Sequence, residues 1–209
     1  MVDDHDLVRT GFRRIVDDQP DMEVVGECAS GEAALEIIRN RDVDLVLLDM
    51  NMPGMGGIET VRRIIGQDEG IKIIGVSVHV DGAYPQRVIE LGGHGYLSKG
   101  CTEREFLTAI RTVRDGSKYI GQAAAQNIAL NSLSDNTDPM TELSHRELSV
   151  VRLLAKGKST NEIANSLHVS IKTVSTYRSR IHSKLGIRND VELAHLAMRH
   201  GIVERGELE

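Results

Sequence analysis

Five polar side chains lie where apolar runs of the sequence end, and together they could accept a phosphoryl group. Asp49 follows an unbroken apolar run, and Asp3 and Asp4 lie at the start of the chain. Ser77 and Lys99 lie at or near the ends of two later apolar runs. Carboxylates gathered in one place repel one another and need a cation, and Mg²⁺ prefers carboxylate and carbonyl oxygens. The set predicts a magnesium-assisted site in which Asp49 is the phosphoryl acceptor.

The predicted metal ligands come from both acidic positions. Asp4 and Asp49 are expected to bind Mg²⁺ directly, with the backbone carbonyl of Asn51 as a third ligand. Asp3 is expected to act through a water molecule. Taken alone, Asp4 could be a helix N-cap and Asp3 a solvated end residue. The metal site is favoured because all these residues fall at one edge of the same predicted sheet.

The remaining side chains of the site are assigned to charge neutralisation and switching. Lys99 is expected to neutralise the incoming phosphoryl group, and Ser77 to move inward and donate a hydrogen bond to the acyl phosphate on Asp49. Taken singly, these would be a surface lysine and a strand end. Tyr96 is either a rotamer switch that follows Ser77 or a half-buried edge tyrosine with no switching role.

Short apolar runs alternate with amphipathic segments over the first part of the chain. The runs are apolar throughout, which indicates strands buried on both faces of a parallel sheet. Predicted strands are residues 23–29, 45–49, 71–77 and 95–98, and predicted helices are residues 7–17, 31–39, 57–65, 84–91 and 103–114. This order predicts an α/β doubly wound parallel sheet, in which ligands bind at the carboxyl ends of the strands.

The pattern becomes wholly helical in the last third of the chain. The predicted domains are residues 1–116, a linker at 117–140 with a possible short helix at 122–130, and a small all-α domain at 141–206. Ser144 and Glu147 form a predicted capping box, and Ser159 and Ser170 are expected to cap the next two helices. Two short helices about a tight turn at 168–170 predict a helix-turn-helix.

The third helix of this domain, predicted at 171–185, indicates its function. Its buried stripe is Val174, Tyr177, Ile181 and Leu185. Its opposite face carries small polar residues and cations, namely Lys172, Ser175, Thr176, Ser179 and Ser183, flanked by Arg178, Arg180 and Lys184. No acid occurs from residue 170 to 189, whereas a solvated helix would normally carry glutamates in ion pairs. The pattern favours double-stranded DNA, with small side chains near bases and cations near phosphates.

A fourth helix, predicted at 191–200, has two possible roles. It could mediate dimerisation through Val191, Ala194, His195 and Met198, or it could merely complete the small core. A dimer would present two third helices to a two-fold DNA site.

Composition limits the class of protein. The 209 residues are 40% hydrophobic and 27% charged, and no apolar stretch reaches the roughly 20 residues that span a bilayer. Two cysteines and no signal peptide indicate a cytoplasmic protein without membrane attachment, and 3% aromatics disfavour stacking on single-stranded nucleic acid. The net charge of -6 is uneven, with 14 Lys and Arg against 23 Asp and Glu in 1–141, but 11 against 8 in 142–209. Only the second part suits a polyanion.

The first domain resembles the receiver domain of bacterial response regulators, which has a CheY-like fold. The resemblance covers residues 1–116 and rests on Val2-Asp3-Asp4-His5, Asp49-Met50-Asn51-Met52-Pro53-Gly54, Ser77-Val78-His79 and Tyr96-Leu97-Ser98-Lys99-Gly100. It implies phosphotransfer to Asp49 from a phosphohistidine on a sensor histidine kinase. It also implies a signalling surface on the fourth helix, fifth strand and fifth helix.

One departure from that family concerns the first strand. Receivers begin with a buried apolar strand of about five residues, whereas only Met1 and Val2 precede Asp3. Losing three or four buried side chains, at about 1.5–3 kcal/mol each, would consume most of a typical stability of about 5–15 kcal/mol. We therefore expect a truncated first strand and a natural product that starts upstream of Met1. An intact mass of the native protein matching a Met1 start would contradict this.

The second domain resembles the LuxR-type helix-turn-helix family. The matching residues are Leu143-Ser144-His145-Arg146-Glu147-Leu148, the run from Ala155 to Ala164, Val169-Ser170, Thr173-Val174 and Lys184-Leu185-Gly186. In that family, positions matching Ser175, Thr176 and Ser179 meet base edges, and positions matching Lys172, Thr173, Arg178 and Lys184 contact phosphates. The two domains together resemble the NarL/FixJ class, and residues 190–201 resemble its GacA/UvrY branch. That branch implies a hybrid sensor kinase and control of small regulatory RNA genes.

Three functional readings follow. The first is a two-component transcription factor in which phosphorylation of Asp49 favours a homodimer on DNA. The second is an aspartyl-phosphate phosphatase, which is disfavoured because such enzymes need a second carboxylate where this chain has Asn51. We therefore expect the chain not to be an enzyme. The third is a phosphorylation-independent DNA-binding regulator with a vestigial receiver.

Overall fold

The structure, a computed structural model, describes residues 1–78, 84–133, 139–167, 169–200 and 202–203. The chain divides into two units, with the boundary between Ile128 and Ala129. Predicted features at His79, His168, linker residues 134–138 and the domain end at 204–206 lie outside the described residues.

A parallel sheet organises the first unit, as the sequence predicts. Its strands are β1 (Leu45–Asp49), β2 (Lys72–Ser77), β3 (Gly95–Ser98) and β4 (Tyr119–Ile120), in the spatial order β1-β2-β3-β4. Asp49 pairs in register with Val76, and Ser77 with Ser98. Parallel strands end at the same edge, so the carboxyl ends of β1, β2 and β3 lie side by side. The short strand β4 was not predicted, because two residues leave no periodic signal.

A single bridging residue stands beside β1 in place of a full first strand. Val2 bridges Leu48 of β1 on one side and Cys28 on the other, both in parallel orientation. The segment before Asp3 thus pairs with β1 through the single residue Val2. The predicted strand at 23–29 is wrong, because only Cys28 of that segment makes a bridge. A strand needs a partner at successive residues, and within the described chain Val2 offers this segment one bridging position.

Helices cover both faces of the sheet. They are α1 (Asp6–Asp17), α2 (Gly31–Asn40), α3 (Gly56–Gln67), α4 (Tyr84–Glu90) and α5 (Glu103–Arg114), each within two residues of its predicted bounds. Alternate residues of β1 face opposite cores. Val46 and Leu48 pack with residues of α2 and α3, whereas Leu47 packs with residues of α1 and α5. The doubly wound arrangement therefore follows from two separate apolar clusters, one on each face.

The start of α3 is held tightly against the turn that follows β1. A Cβ added at Gly57 would lie 2.6 Å from Met50 Cα and 2.8 Å from the Asp49 carbonyl oxygen. These are backbone atoms, which cannot rotate away. We expect Gly57→Ala to lower the free energy of unfolding in urea by about 1–3 kcal/mol.

A glycine in the same helix provides the control for that substitution. A Cβ at Gly66 would meet nothing within 4 Å. Gly66→Ala should therefore be neutral or stabilising by about 0.5–1 kcal/mol, since alanine is the better helix former. Equal losses in the two variants would mean that close packing at Gly57 is not the cause.

The second unit is helical. After α6 (Gln122–Leu133), which spans the unit boundary, come a 3₁₀ turn (Pro139–Glu142) and then α7 (His145–Ala155), α8 (Thr160–Ser166), α9 (Ile171–Leu185) and α10 (Asp190–Arg199). Ser144 and Ser159 form capping boxes at the starts of α7 and α8. Ser170 accepts a hydrogen bond from Thr173 N and caps α9. Among the described residues, none of the helices combines the length and apolar character needed to cross a bilayer.

Candidate functional site

The predicted site residues of the first unit lie together at the carboxyl edge of the sheet. Asp49 ends β1, Ser77 ends β2, and Lys99 directly follows β3. Asp3 directly follows the bridging residue Val2. The backbone links these ends, because Lys99 N donates to the Ser77 carbonyl at 2.8 Å and Asp49 N to the Val2 carbonyl at 2.8 Å. The sheet therefore fixes the spacing of the polar side chains.

The ammonium group of Lys99 joins two carboxylates at this edge. Its Nζ lies 2.9 Å from Asp49 Oδ2 and 2.8 Å from Asp3 Oδ2. Burial lowers the pKa of Lys99, but the contacts with Asp3 and Asp49 outweigh burial and raise the pKa above its ordinary value. The amine therefore stays charged, as a group that neutralises phosphoryl oxygens must.

The side chain of Asp49 is almost completely enclosed. The residue is 1% exposed, and the backbone N–H of Asn51 donates to its Oδ1 at 2.9 Å. Burial raises the pKa of Asp49, while the Asn51 N–H and the Lys99 ammonium oppose that shift. Both carboxylate oxygens are thus held in fixed positions, which suits a nucleophile that must meet one substrate atom.

The acidic side chains near Asp49 could hold a divalent cation. Ligand atoms of Asp3, Asp4, His5 and Asp49 all lie within 4.8 Å of one another. Asp4 Oδ1 is buried and accepts no hydrogen bond from the described part of the chain, although His5 Nδ1 lies 2.9 Å away. A buried carboxylate oxygen in this state fits a metal ligand. Asp3 is instead held by Lys99 and by the backbone N–H of His5 at 2.9 Å.

Sequence reasoning gave no role to His5, which the structure places among the acids. Its Nδ1 lies 3.3 Å from Asp3 Oδ1 as well as close to Asp4. The only signal in the sequence was its position directly after the two acids. The His5 side chain is well exposed, so it lies on the solvent side of the two carboxylates.

The two candidate switch residues are fully buried. Ser77 and Tyr96 are both 0% exposed, and Asn51 Nδ2 donates to Ser77 Oγ at 3.4 Å. A half-buried edge position for Tyr96 is therefore wrong. Its ring lies over Gly75, where an added Cβ would come 3.0 Å from Tyr96 Cδ2 and 3.0 Å from Met50 Sδ. Glycine at this position of β2 leaves the space that the ring fills.

The polar stripe predicted on α9 is exposed. Val174 and Ile181 are buried, while Tyr177 and Leu185 are half-buried. The exposed predicted DNA contacts are Lys172, Ser175, Thr176, Ser179 and Lys184, and Thr173 and Arg178 are partly exposed. Ser175 Oγ and Thr176 Oγ1 donate to carbonyls four residues earlier, at 3.1 and 2.9 Å. These hydroxyls keep acceptor lone pairs for a partner.

Two predicted phosphate-contacting cations of α9 are bound to acids from neighbouring helices, which sequence reasoning missed. Arg178 forms an ion pair with Asp190, the first residue of α10, at 2.7 Å. Lys184 Nζ lies 2.7 Å from Glu147 Oε2, and the Glu147 side chain is 3% exposed. Burial alone would raise the pKa of Glu147, but Lys184 and the Ser144 N–H lower it below its ordinary value.

Helix α10 contributes to the small core and also leaves an apolar side chain in solvent. Leu193 and Ala197 are buried against the other helices. Val191 is 66% exposed, and His195 is also exposed. Both roles predicted for this helix are therefore compatible with its position.

Two family models match the chain. The model described as "Response regulator receiver domain" matches residues 1–111, and the model described as "Bacterial regulatory proteins, luxR family" matches residues 141–197. Together they account for most of both units.

Curated relatives and solved structures are similar over nearly the whole chain. "Response regulator UvrY" of Escherichia coli K12 is 46% identical over 97% of this chain and 94% of that protein. "Response regulator GacA" of Pseudomonas aeruginosa is 41% identical over 98% and 96%. The structure of RcsB from Salmonella enterica serovar Typhimurium, bound to promoter rprA with the phosphomimetic BeF3-, superposes with a TM-score of 0.73. It is 27% identical and covers 93% of this chain and 95% of that one.

Proposed function

The chain belongs to the bacterial response regulators that join a receiver domain to a LuxR-type DNA-binding domain, and we propose that its phosphoacceptor is Asp49. Members of this family are phosphorylatable, DNA-binding regulators of transcription. The observation that carries the assignment is the contact of a buried Asp49 with Lys99 and with the Asn51 N–H. The proposed domain limits are 1–116, 117–140 and 141–206.

The carboxylate of Asp49 attacks phosphorus, and the bond from phosphorus to the donor breaks. The donor is a phosphohistidine of a sensor histidine kinase, which we take to be a hybrid kinase as in the GacA/UvrY branch. Lys99 stays charged and neutralises a phosphoryl oxygen. Mg²⁺ held by Asp4, Asp49 and the Asn51 carbonyl, with Asp3 bound through water, would offset the remaining negative charge. The receiver acts as a substrate of the kinase instead of a turnover enzyme, because Asn51 supplies no acid to hydrolyse the product.

Phosphorylation then changes the edge of the sheet. The acyl phosphate adds about −1.5 to −2 charges and three acceptor oxygens. Ser77 moves to donate to one of them, and Tyr96 follows into the space that Ser77 leaves. Asn51 Nδ2 donates to Ser77 Oγ at 3.4 Å, so this hydroxyl is already close to the turn that follows Asp49, which supports its assigned role. The proposed result is a homodimer, in which α10 is the candidate contact.

The DNA-binding helix is α9. Ser175, Thr176 and Ser179 are proposed to meet base edges in the major groove. Lys172, Thr173, Arg178 and Lys184 are proposed to contact phosphates. The exposure of the polar stripe supports this assignment.

By similarity to the GacA/UvrY branch, the regulated genes include those of small regulatory RNAs. The protein acts in the cytoplasm, where chromosomal DNA lies.

DNA binding before and after phosphorylation tests the proposal. A duplex is selected from a random pool by the wild-type chain, and the Kd is measured by anisotropy with and without acetyl phosphate and Mg²⁺. We expect the wild type to bind more tightly after treatment, by about tenfold if the switch supplies about 1.4 kcal/mol. Asp49→Asn should show no change. A wild type that gains the phosphoryl group but binds DNA equally well in both states would support the vestigial-receiver reading instead.

A further inference from the structure

The guanidinium group of Arg178 on α9 is held by a carboxylate from the next helix. Arg178 Nε lies 2.9 Å from Asp190 Oδ1, and Nη2 lies 2.7 Å from Asp190 Oδ2. Two parallel N–H···O contacts of this kind are the geometry with which arginine also binds phosphate. The carboxylate therefore occupies the edge of Arg178 that a DNA phosphate would take.

A second side chain of α9 shares the same carboxylate. His182 Nε2 lies 3.0 Å from Asp190 Oδ1. Asp190 is the first acid after a run of residues, 170–189, that contains none. Among the described residues, the carboxylate that contacts both Arg178 and His182 thus comes from α10, where the Asn189 cap fixes the start of the helix.

The ion pair lies where DNA can reach it. The side chains of Arg178 and Asp190 are 43% and 32% exposed. Exposed pairs contribute little to stability, because water competes for both partners. The pair is thus weak enough to open, yet it keeps a negative charge beside the polar stripe of α9.

We propose that Asp190 is an intramolecular competitor for DNA phosphate, which occupies Arg178 in the free protein and reduces its attraction to DNA of any sequence. The inference rests on the proposed function of α9 in DNA binding. On DNA of unrelated sequence Arg178 keeps its carboxylate partner, so the loose complex of the wild type lacks this phosphate contact. Loose, sequence-independent association is weakened as a result, because it depends on charge alone.

The test measures the binding of the full chain to a duplex of random sequence over a range of salt concentrations. Asp190→Asn should tighten binding roughly two- to fivefold at fixed salt, as expected for freeing one exposed cation. The plot of log K against log salt should become steeper by about 0.9, the value for one additional phosphate contact. In an Arg178→Ala background, the same substitution should change neither quantity.

Controls separate this mechanism from a change in net charge. Glu192→Gln also converts an acid of α10 to an amide, but Glu192 contacts the Arg188 N–H and the Asn189 amide instead of a cation of α9. It should leave the salt slope unchanged. If Asp190→Asn does not fold, as judged by circular dichroism, Asp190→Ser replaces it.

Two results would overturn the proposal. One is an unchanged affinity and slope for the Asp190 variants, and the other is a gain that persists without Arg178. A wild-type chain that binds no duplex at all would instead refute the proposed function of α9, so the two failures are distinguishable.

Discussion

Asp49→Asn should abolish phosphorylation of the chain. Incubation with acetyl phosphate and Mg²⁺ should add one phosphoryl mass to the wild type and none to the variant, as read by intact-protein mass spectrometry. The reason is chemical, because an amide oxygen is a poor nucleophile and lacks the negative charge that Lys99 holds at 2.9 Å. Loss of the nucleophile removes the reaction, so the expected effect is complete.

An aspartate of the same β-strand region gives the matched control. Asp44 is exposed and directly precedes β1, at the opposite end from Asp49. Asp44→Asn should be phosphorylated like the wild type. A phosphoryl mass on Asp49→Asn would show that another residue accepts the group, and its position by peptide mapping would replace the assignment.

Much of the first site could be predicted because its spacing is set by the sheet. Apolar runs that end in polar residues mark the carboxyl ends of parallel strands, and those ends meet at one edge. The predictions for Asp49, Ser77 and Lys99 needed no more than this. Their contacts could not be predicted, since the distance from Lys99 to Asp3 depends on side-chain packing.

The predicted strand at 23–29 failed for a different reason. Its apolar pattern is compatible with a strand, but a strand forms only against a neighbour. Within the segments that the structure describes, Val2 alone bridges to this segment, at Cys28. The local pattern therefore showed that residues 23–29 can form a strand, but the available pairing partner determines whether the strand forms.

From the absence of acids on α9, the sequence correctly predicted that the polar stripe is exposed. It wrongly suggested that the cations of this helix have no acidic partners. The acids that pair with Arg178 and Lys184 come from α10 and α7, which are adjacent only in three dimensions. A pattern within one helix cannot show them, because it describes only neighbours three or four residues apart. Sequence patterns within α9 therefore could not predict the ion pairs of Arg178 and Lys184.

The two roles of Lys184 lead to the second large effect. Lys184→Met keeps the apolar stem but removes the cation that contacts the buried Glu147 carboxylate. Of the residues that the structure describes, Ser144 then remains as its hydrogen-bond donor, through its N–H at 2.6 Å. Leaving a buried charge without its cation should lower the free energy of unfolding by about 1–3 kcal/mol. Urea unfolding measures this loss, and hydrogen exchange of the α7 amides shows whether it is located in that helix.

An exposed pair in the same unit gives the control. Lys158 lies 3.3 Å from Glu162, and their side chains are 51% and 55% exposed. Lys158→Met should leave the free energy of unfolding nearly unchanged, because water screens an exposed pair of this kind. A loss equal to that of Lys184→Met would show that burial of Glu147 does not determine the effect.

A double variant separates the structural role of Lys184 from its proposed role at phosphate. Glu147→Gln combined with Lys184→Met leaves no buried unpaired charge, so most of the lost stability should return. Glutamine can also serve in the capping box. The DNA salt slope should nevertheless stay shallower than in the wild type by about 0.9, because the cation is still missing. If DNA binding and its salt slope both recover with stability, then Lys184 only supports the fold, and the phosphate contact must be made by other cations of α9.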